Sequence, residues 1–213
     1  MGMCTICARL TGKDRGTLHH KGMRDMYERG PRAAFQEISP RLMGNVIEIG
    51  CGTGVLFADY PDTARVAAVE PALDFLPLAR AHAADARAHI DVFSGDAHQL
   101  SFENDSFDAG VFHFVLCSIP DPRRALAEAM RVLKPGGLLY VYEHVISRNR
   151  LVGGCQNLIN PLWRWCSEGC NINRDTGAAV RSLPLSIEAD ERRTLRVPWM
   201  PPIAIARLIA RTT

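Results

Sequence analysis

The sequence has no apolar run that reaches the roughly 18 residues needed to cross a bilayer. Its first twenty residues include Lys13, Asp14 and Arg15, which the apolar region of a secretory signal would not contain. It has no block of five basic residues, and its net charge is only +2 over 213 residues. We therefore expect a cytoplasmic protein with no stable membrane anchor and no nucleic-acid partner.

A repeated metal-binding pattern is also missing among the seven cysteines. Cys4 and Cys7 form one Cys-x-x-Cys pair, and Cys166 and Cys170 lie one helical turn apart, but no second matching pair follows. Cysteines in a reducing compartment stay as thiols. The sequence therefore predicts no resident metal, and the roles of both pairs remain open.

What the sequence does contain is an alternation of short apolar segments with helical ones. Helices are predicted over 18–38 (with a break at Gly30 and Pro31), 54–59, 75–86 and 122–133. Strands are predicted over 45–50, 65–70, 90–94, 108–117 and 138–145, with a turn over 134–137. These strands are apolar throughout, as in a parallel sheet covered by helices on both faces. The pattern predicts a doubly wound α/β fold.

The segment "VIEIGCGTGVLF" (46–57) places three glycines directly after the first strand. Gly50, Gly52 and Gly54 leave the backbone bare where a ligand can approach it. Glu70 ends the second strand twenty residues after Gly50, which is where a carboxylate binds ribose hydroxyls in nucleotide-binding folds. The third glycine comes one residue earlier than in a dinucleotide loop, so an adenosine-type ligand without a pyrophosphate is favoured.

A second acidic residue, Asp96, follows the third strand. Its carboxylate is a candidate acceptor for an adenine amino group, and the Ala97 amide is a candidate donor to a ring nitrogen. His98 is expected to border the same pocket.

Together these residues resemble the class I methyltransferases that use S-adenosylmethionine. "VIEIGCGTG" is similar to their first motif, and the segment from Phe107 to His144, with its "LKPGG" turn, is similar to their fourth and fifth strands. The resemblance implies a Rossmann-like sheet of seven strands with the last antiparallel, strands six and seven being 193–197 and 203–210. It implies S-adenosylmethionine as cofactor, with S-adenosylhomocysteine as product. The implied cofactor-binding residues are Glu48, Gly50, Cys51, Gly52, Gly54, Glu70, Pro71, Asp96, Ala97 and His113.

The resemblance also implies a single methyltransferase domain over residues 1–213. Its parts are an N-terminal helical lid (1–40), a cofactor-binding core (41–146), an insertion on the acceptor side (147–190) and the last two strands (191–213).

A narrower set of motifs is similar to the methyltransferase-like 7 family, the animal thiol methyltransferases. These are "LCS" at 116–118, "EHV" at 143–145, Gln156, "PLW" at 161–163, "GCN" at 169–171 and Arg174. They imply a thiol as the methyl acceptor. Those relatives begin with an apolar membrane-anchoring segment, whereas this sequence begins "MGMCTICARLTGKDRG", so membrane attachment is not expected.

Two histidines are candidates for the catalytic role, and the acceptor pocket is expected between residues 18–38 and 147–185. His113 ends the fourth strand and His144 ends the fifth, where a base or cation would help to form a thiolate. Tyr27, Trp163 and Trp165 are candidates for lining the pocket. His19, His20, His82 and His89 are expected on the surface.

Other functions remain open, because a fold does not fix its chemistry. The acceptor could instead be an amine, a hydroxyl, a phospholipid head group or a quinone-type carbon. Cys117, Cys166 and Cys170 could hold a soft element such as trivalent arsenic for methylation. In a different class, the chain could be a non-catalytic module that binds the cofactor.

Overall fold

One seven-stranded sheet runs through the part of the chain that the computed structural model describes, namely residue 12 and residues 14–196 and 203–213. Cys4, Cys7 and the last residue of the strand predicted over 193–197 lie outside the described residues. The strands are β1 (Gly44–Ile49), β2 (Ala64–Glu70), β3 (His89–Ser94), β4 (Phe107–His113), β5 (Leu133–His144), β6 (Leu185–Leu195) and β7 (Ile203–Thr212).

The strand order is β3-β2-β1-β4-β5-β7-β6. Neighbouring strands from β3 to β5 are parallel, and β7 is antiparallel to both β5 and β6. The chain order reverses between β1 and β4, so the carboxyl ends of β1, β2, β4 and β5 meet at the switch point where such sheets bind ligands. The prediction of a Rossmann-like α/β fold with an antiparallel last strand is confirmed.

Most of the helices in the described residues begin at a side chain that caps them. They are α1 (Arg15–Glu28), α2 (Pro31–Ile38), α3 (Leu76–Ala84), α4 (Pro122–Val132), α5 (Arg150–Cys166) and α6 (Thr176–Arg181). Asp14, Asp121 and Asn149 each accept hydrogen bonds from amides of the first helical turn, as good N-caps do. Among these helices, none combines the length and apolar character that a membrane span requires.

Apolar side chains cover both faces of the sheet. Phe35 of α2 packs with Tyr60 and Tyr140 on one face, while Phe112 and Leu126 lie in the cluster on the other. This burial on both faces explains why the central strands are apolar at nearly every position.

Several predicted elements have different bounds in the structure. The turn predicted over 134–137 lies within β5, because Leu133 pairs with Phe107 and Leu138 pairs with Ala109 on either side of an irregularity in the ladder. The helix predicted over 54–59 is only a 3₁₀ turn, Phe57–Asp59, because the glycine loop keeps a positive φ through Gly54. β4 ends at His113, since Phe114 has a φ of 56° and turns the chain out of the sheet. β6 begins at Leu185, eight residues before the predicted start at 193. The sequence pattern missed this start because the edge strand is largely exposed and carries many polar residues.

Candidate active site

Gly50 and Gly52 of the glycine loop lack a side chain for two different structural reasons. Gly50 has a φ of 74°, and a Cβ on it would lie 2.1 Å from Cγ2 of Val115. Gly52 has a φ of 56°, and the nearest atom to an added Cβ is Nε2 of His19 at 3.8 Å. Gly50 therefore lets the segment after β4 approach β1, whereas Gly52 opens onto empty space.

Gly54 serves the packing of the loop. It has a φ of 80°, and a Cβ on it would lie 2.5 Å from the ring of Phe57. It is absent from the walls of the two cavities described next, and its predicted contact with the cofactor stays a prediction.

Two adjoining cavities lie at the switch point. The small cavity, of about 220 Å³, has Pro71, Asp96, Ala97 and His98 in its wall. The large cavity, of about 370 Å³, extends from the glycine loop to α1, α5 and the ends of β4 and β5. Gly50, Glu70, Val115, Ser118 and Glu168 belong to both walls.

Glu70 stands between the two cavities at the end of β2. Its carboxylate accepts hydrogen bonds of 2.9 Å from the amides of Gly52 and Ala72. Burial raises the pKa of Glu70, and these two hydrogen bonds partly offset the rise. The carboxylate thus ties the glycine loop to β2 and presents an acceptor at the boundary of the cavities.

Asp96 is held in place by the residue two positions later. Its carboxylate accepts hydrogen bonds from the amide of His98 at 2.9 Å and from Nδ1 of the same residue at 2.6 Å. The backbone hydrogen bond lowers the pKa of Asp96, with a further contribution from the His98 ring. The side chain stays 66% exposed and ionised, as a hydrogen-bond acceptor for a ligand requires.

Glu48 and Cys51 form an uncharged part of the large cavity wall. The Tyr60 hydroxyl donates a 2.9 Å hydrogen bond to Oε2 of Glu48. Burial raises the pKa of Glu48 to about 8, which this bond only partly counteracts. Burial likewise raises the pKa of the Cys51 thiol. Near neutral pH both groups are therefore mainly protonated.

The two candidate histidines both line the large cavity, but their surroundings differ. His113 stacks on Tyr142, with ring centroids 5.1 Å apart, and its Nε2 is buried without a hydrogen-bond partner among the described residues. Burial, followed by the charge of His144, lowers the pKa of His113 to about 3. His113 is therefore neutral and holds a proton weakly.

His144 lies in a cluster with two cysteines, the Cys117–His144–Cys170 cluster. Its Nδ1 is 3.2 Å from Sγ of Cys170 and 3.8 Å from Sγ of Cys117. All three side chains are buried, and their ligand atoms lie within 4.8 Å of one another. Burial alone would lower the pKa of His144, but the neighbouring sulfur of Cys170 and the carboxylate of Glu143 raise it.

The Glu143 side chain holds the chain that carries Cys117. Its carboxylate accepts hydrogen bonds of 2.7 Å from the amides of Val115 and Leu116, and one of 3.3 Å from the amide of Cys117. Burial raises the pKa of Glu143 to about 7 despite these bonds. The end of β5 therefore fixes the loop after β4.

Gln156 and Arg174 dock the insertion onto the ends of the strands. The Gln156 amide group donates to the carbonyls of Val145 and Ile172. Arg174 donates to the carbonyls of Leu116 and Ile119 at 2.6 and 2.7 Å. These bonds bring Cys170 next to residues from β5 and the loop after β4.

The candidates for acceptor contact do not all reach the large cavity. Tyr27 and Trp163 line it, and the Tyr27 hydroxyl donates to Asp59 at 3.2 Å. Trp165 is 48% exposed and lies outside this wall, so its predicted lining role is not supported. His19, expected on the surface, instead stacks on Phe75 and lines the cavity.

The sequence motifs contained each member of the cysteine–histidine cluster without showing that they meet. "LCS", "EHV" and "GCN" supply Cys117, His144 and Cys170 respectively. The sequence interpretation grouped Cys166 with the other two cysteines. In the structure Cys166 lines the same cavity, but His144 takes its place in the cluster.

Comparison with known proteins identifies a matching family and similar sequences. Residues 47–141 match the family described as "Methyltransferase domain". The rat thiol S-methyltransferase TMT1B is 32% identical over 163 residues, which cover 74% of this chain and 63% of that protein. A demethylmenaquinone methyltransferase of Paenarthrobacter aurescens is 34% identical over 140 residues, covering 65% of this chain and 46% of its own.

The solved structure of a putative methyltransferase from Bacillus halodurans has the same fold. It superimposes with a TM-score of 0.70 at 16% identity, over 85% of this chain and 98% of its own.

With this fold, this domain and paired cavities at the glycine loop, the chain belongs to the class I S-adenosylmethionine-dependent methyltransferases. Within that class, its sequence is similar to the thiol S-methyltransferases TMT1A and TMT1B, and it spans somewhat less than two thirds of the length of the rat protein. The cofactor of the class fits the residues present. A nucleoside matches the small cavity with its exposed Asp96, and Gly52 leaves room beside the large one.

Proposed function

We propose that the chain transfers a methyl group from S-adenosylmethionine to the sulfur of a small thiol, in detoxification or in secondary metabolism. The observation that carries this proposal is that the glycine loop and the Cys117–His144–Cys170 cluster line one cavity. When bound, S-adenosylmethionine supplies an electrophilic methyl group on a positively charged sulfur. The protein then has to bind the donor, exclude water and hold the acceptor as a thiolate, since the thiolate is the nucleophilic form.

On the donor side, the proposed roles follow the positions of the side chains. Glu70 accepts hydrogen bonds from the ribose hydroxyls, and Asp96 accepts one from the adenine amine while the Ala97 amide donates to the ring. Glu48, with Gly52 and Cys51 beside it, is proposed to meet the amino-acid end of the donor. Its position in the large cavity, away from the small one, supports this division.

On the acceptor side, we propose that His144 helps to form the thiolate. Its ring contacts two sulfur atoms and lines the same cavity as the glycine loop. His113 is proposed as a lining residue, because a neutral imidazole with a very low pKa is a poor proton acceptor. Tyr27 and Trp163 supply the aromatic wall that excludes water.

Methylation of a quinone-type carbon is the second candidate. The similarity to demethylmenaquinone methyltransferase favours it, as do the apolar side chains of Met23, Met26 and Phe114 in the large cavity. A non-catalytic cofactor-binding module is a third candidate. A decayed enzyme would tend to lose the glycine loop, Glu70 and Asp96, and this chain has all of them.

The test is product formation with the purified chain, S-adenosylmethionine and a panel of small thiols, amines, phenols, catechols and quinols. Mass spectrometry would follow S-adenosylhomocysteine and the gain of one methyl group. We expect methylated thiols, and much slower turnover by a Glu70→Ala variant when S-adenosylmethionine is limiting. Methylation of quinols alone would support the second candidate, and cofactor binding without turnover on any class would contradict the thiol assignment.

A further inference from the structure

The Cys117–His144–Cys170 cluster has the composition and dimensions of a metal site. A tetrahedral Zn²⁺ ion with bonds of about 2.3 Å to sulfur and about 2.0 Å to nitrogen places its ligand atoms roughly 3.5–3.8 Å apart. In the structure, Nδ1 of His144 is 3.2 Å from one sulfur and 3.8 Å from the other. Both nitrogen–sulfur distances are therefore within about 0.3 Å of the tetrahedral value, and all three ligand atoms lie within 4.8 Å of one another.

The cluster also has the ligand number of a catalytic zinc site. Structural zinc sites have four protein ligands, whereas catalytic ones have three and leave one position open. Among the described residues, only this group of three or more His, Cys, Asp or Glu side chains is close enough to hold an ion. All three residues line the large cavity, so an ion among them would be reached from that cavity.

Hydrogen bonds to the backbone hold the segments that carry Cys117 and Cys170 in fixed positions. Glu143 binds the amide of Cys117, while the chain before Cys170 is fixed by a hydrogen bond from the Cys170 amide to the carbonyl of Ser167. The amide of Asn171 donates to the carbonyl of Cys117, which joins the two cysteine segments directly. Such contacts hold ligand atoms in place before an ion arrives, which increases affinity.

We propose that Cys117, His144 and Cys170 bind one Zn²⁺ ion whose open position takes the sulfur of the acceptor thiol. Binding to the ion removes the proton of that thiol, which passes to water, and leaves a zinc-bound thiolate. The thiolate sulfur then forms the new bond to the methyl carbon, while the methyl–sulfonium bond breaks and its electron pair stays on the donor sulfur. The thiol step rests on the proposed function; the metal site does not. In this scheme His144 acts on the thiol through the ion.

The first measurement is metal binding by the full chain, made apo with a chelator and kept reduced with a phosphine, because thiol reductants would themselves enter the site. Anaerobic titration with Co²⁺ is expected to give one equivalent bound, with thiolate-to-cobalt charge-transfer absorption that Zn²⁺ abolishes. Cys117→Ser and Cys170→Ser should each weaken binding by more than roughly tenfold. Cys155→Ser, in an exposed cysteine of α5, is the matched control and should bind normally.

The Cys-x-x-Cys pair near the start of the chain is a competing site, so the titration is repeated with Cys4→Ser and Cys7→Ser combined. Loss of the absorption in that variant would overturn the proposal. If the Cys117 and Cys170 variants fail to fold, alkylation of the unaltered protein tests whether these two cysteines bind Zn²⁺. Zn²⁺ is expected to protect Cys117 and Cys170 from iodoacetamide while Cys155 still reacts, and equal labelling with and without Zn²⁺ would overturn the site.

The second measurement adds 2-mercaptoethanol to the cobalt-loaded protein without any methyl donor. A shift of the charge-transfer band is expected as the thiol fills the open position; an unchanged band would overturn the thiol step. Methylation of thiols by a metal-free protein would also overturn the zinc proposal and leave the proposed function intact. Cobalt binding with a thiol-dependent shift but no methylated thiol would support the site while contradicting the proposed function.

Discussion

Replacing Glu48 with glutamine tests the buried carboxyl group in the wall of the large cavity. Glutamine has nearly the same shape and still offers an oxygen to the Tyr60 hydroxyl, but it cannot ionise. In the apo protein, burial raises the pKa of Glu48 from 4.5 to about 8. The folded state therefore prefers the protonated form, and ionising Glu48 costs stability.

The sign and size of the effect follow from that shift. Stability from the protonated carboxyl is fully present below about pH 4.5 and is lost progressively as the pH rises to about 8. At roughly 1.4 kcal/mol for each pKa unit, the whole loss is at most about 5 kcal/mol, of which about 2.5 kcal/mol falls between pH 6 and pH 9. Glu48→Gln removes this dependence.

The assay is urea unfolding of both proteins, without ligand, at pH 6 and at pH 9. Other groups titrate in this range, but they are common to both proteins and cancel in the comparison. We expect the unfolding free energy of the unaltered protein to fall by about 2–3 kcal/mol more than that of Glu48→Gln. Parallel pH dependence in the two proteins would refute the reasoning, because it would mean that Glu48 ionises at its ordinary pKa.

Three further predictions, made with four substitutions, test the site. Glu70→Ala removes an acceptor at the boundary of the cavities and should weaken S-adenosylmethionine binding by about 1.5–3 kcal/mol in calorimetry. Gly50→Ala should lower the unfolding free energy by about 2 kcal/mol or more, measured by thermal denaturation, because its φ is 74° and the new Cβ meets Val115. Trp163→Ala should raise the KM for the acceptor, whereas Trp165→Ala should leave it unchanged in steady-state kinetics.

Each of these has a control or an outcome that contradicts it. Asp91→Ala removes an exposed carboxylate of β3 and should leave cofactor affinity unchanged. An equal loss of affinity in Asp91→Ala and Glu70→Ala would show that Glu70 does not bind the cofactor specifically. Gly154→Ala lies in α5 with open space around it, so comparable destabilisation there would refute the steric account of Gly50. Equal KM values for the two tryptophan variants would place the acceptor elsewhere.

The central part of the fold was predictable because its strands are buried on both faces. Continuous apolar runs bounded by the glycine loop and by Glu70 left little freedom in placing β1 and β2. β6 was placed eight residues too late because an exposed edge strand with many charges lacks the apolar pattern that identifies the others. The 54–59 segment has four consecutive apolar residues that can form a helix, but the positive φ of Gly54 sets its backbone instead.

The candidate site residues that directly follow a strand could be predicted from the sequence. Contacts between residues of distant segments could not. Glu70 and Asp96 follow strands directly, and parallel strands bring such ends together. Cys117, His144 and Cys170 are each separated by more than twenty residues, and their contact depends on how the insertion docks. Only tertiary structure could show that His144, and not Cys166, joins the two cysteines.

The way the insertion is attached in this protein has a consequence for which substitutions can alter its acceptor preference. Gln156 and Arg174 donate hydrogen bonds to backbone carbonyl oxygens. A substitution at the accepting residue changes its side chain but keeps its carbonyl group. Substitutions on the cavity side of α5 would therefore alter what touches the acceptor while the attachment persists. A library confined to the cavity-lining residues of α5, with Gln156 left unchanged, should therefore yield new acceptor profiles at nearly constant stability.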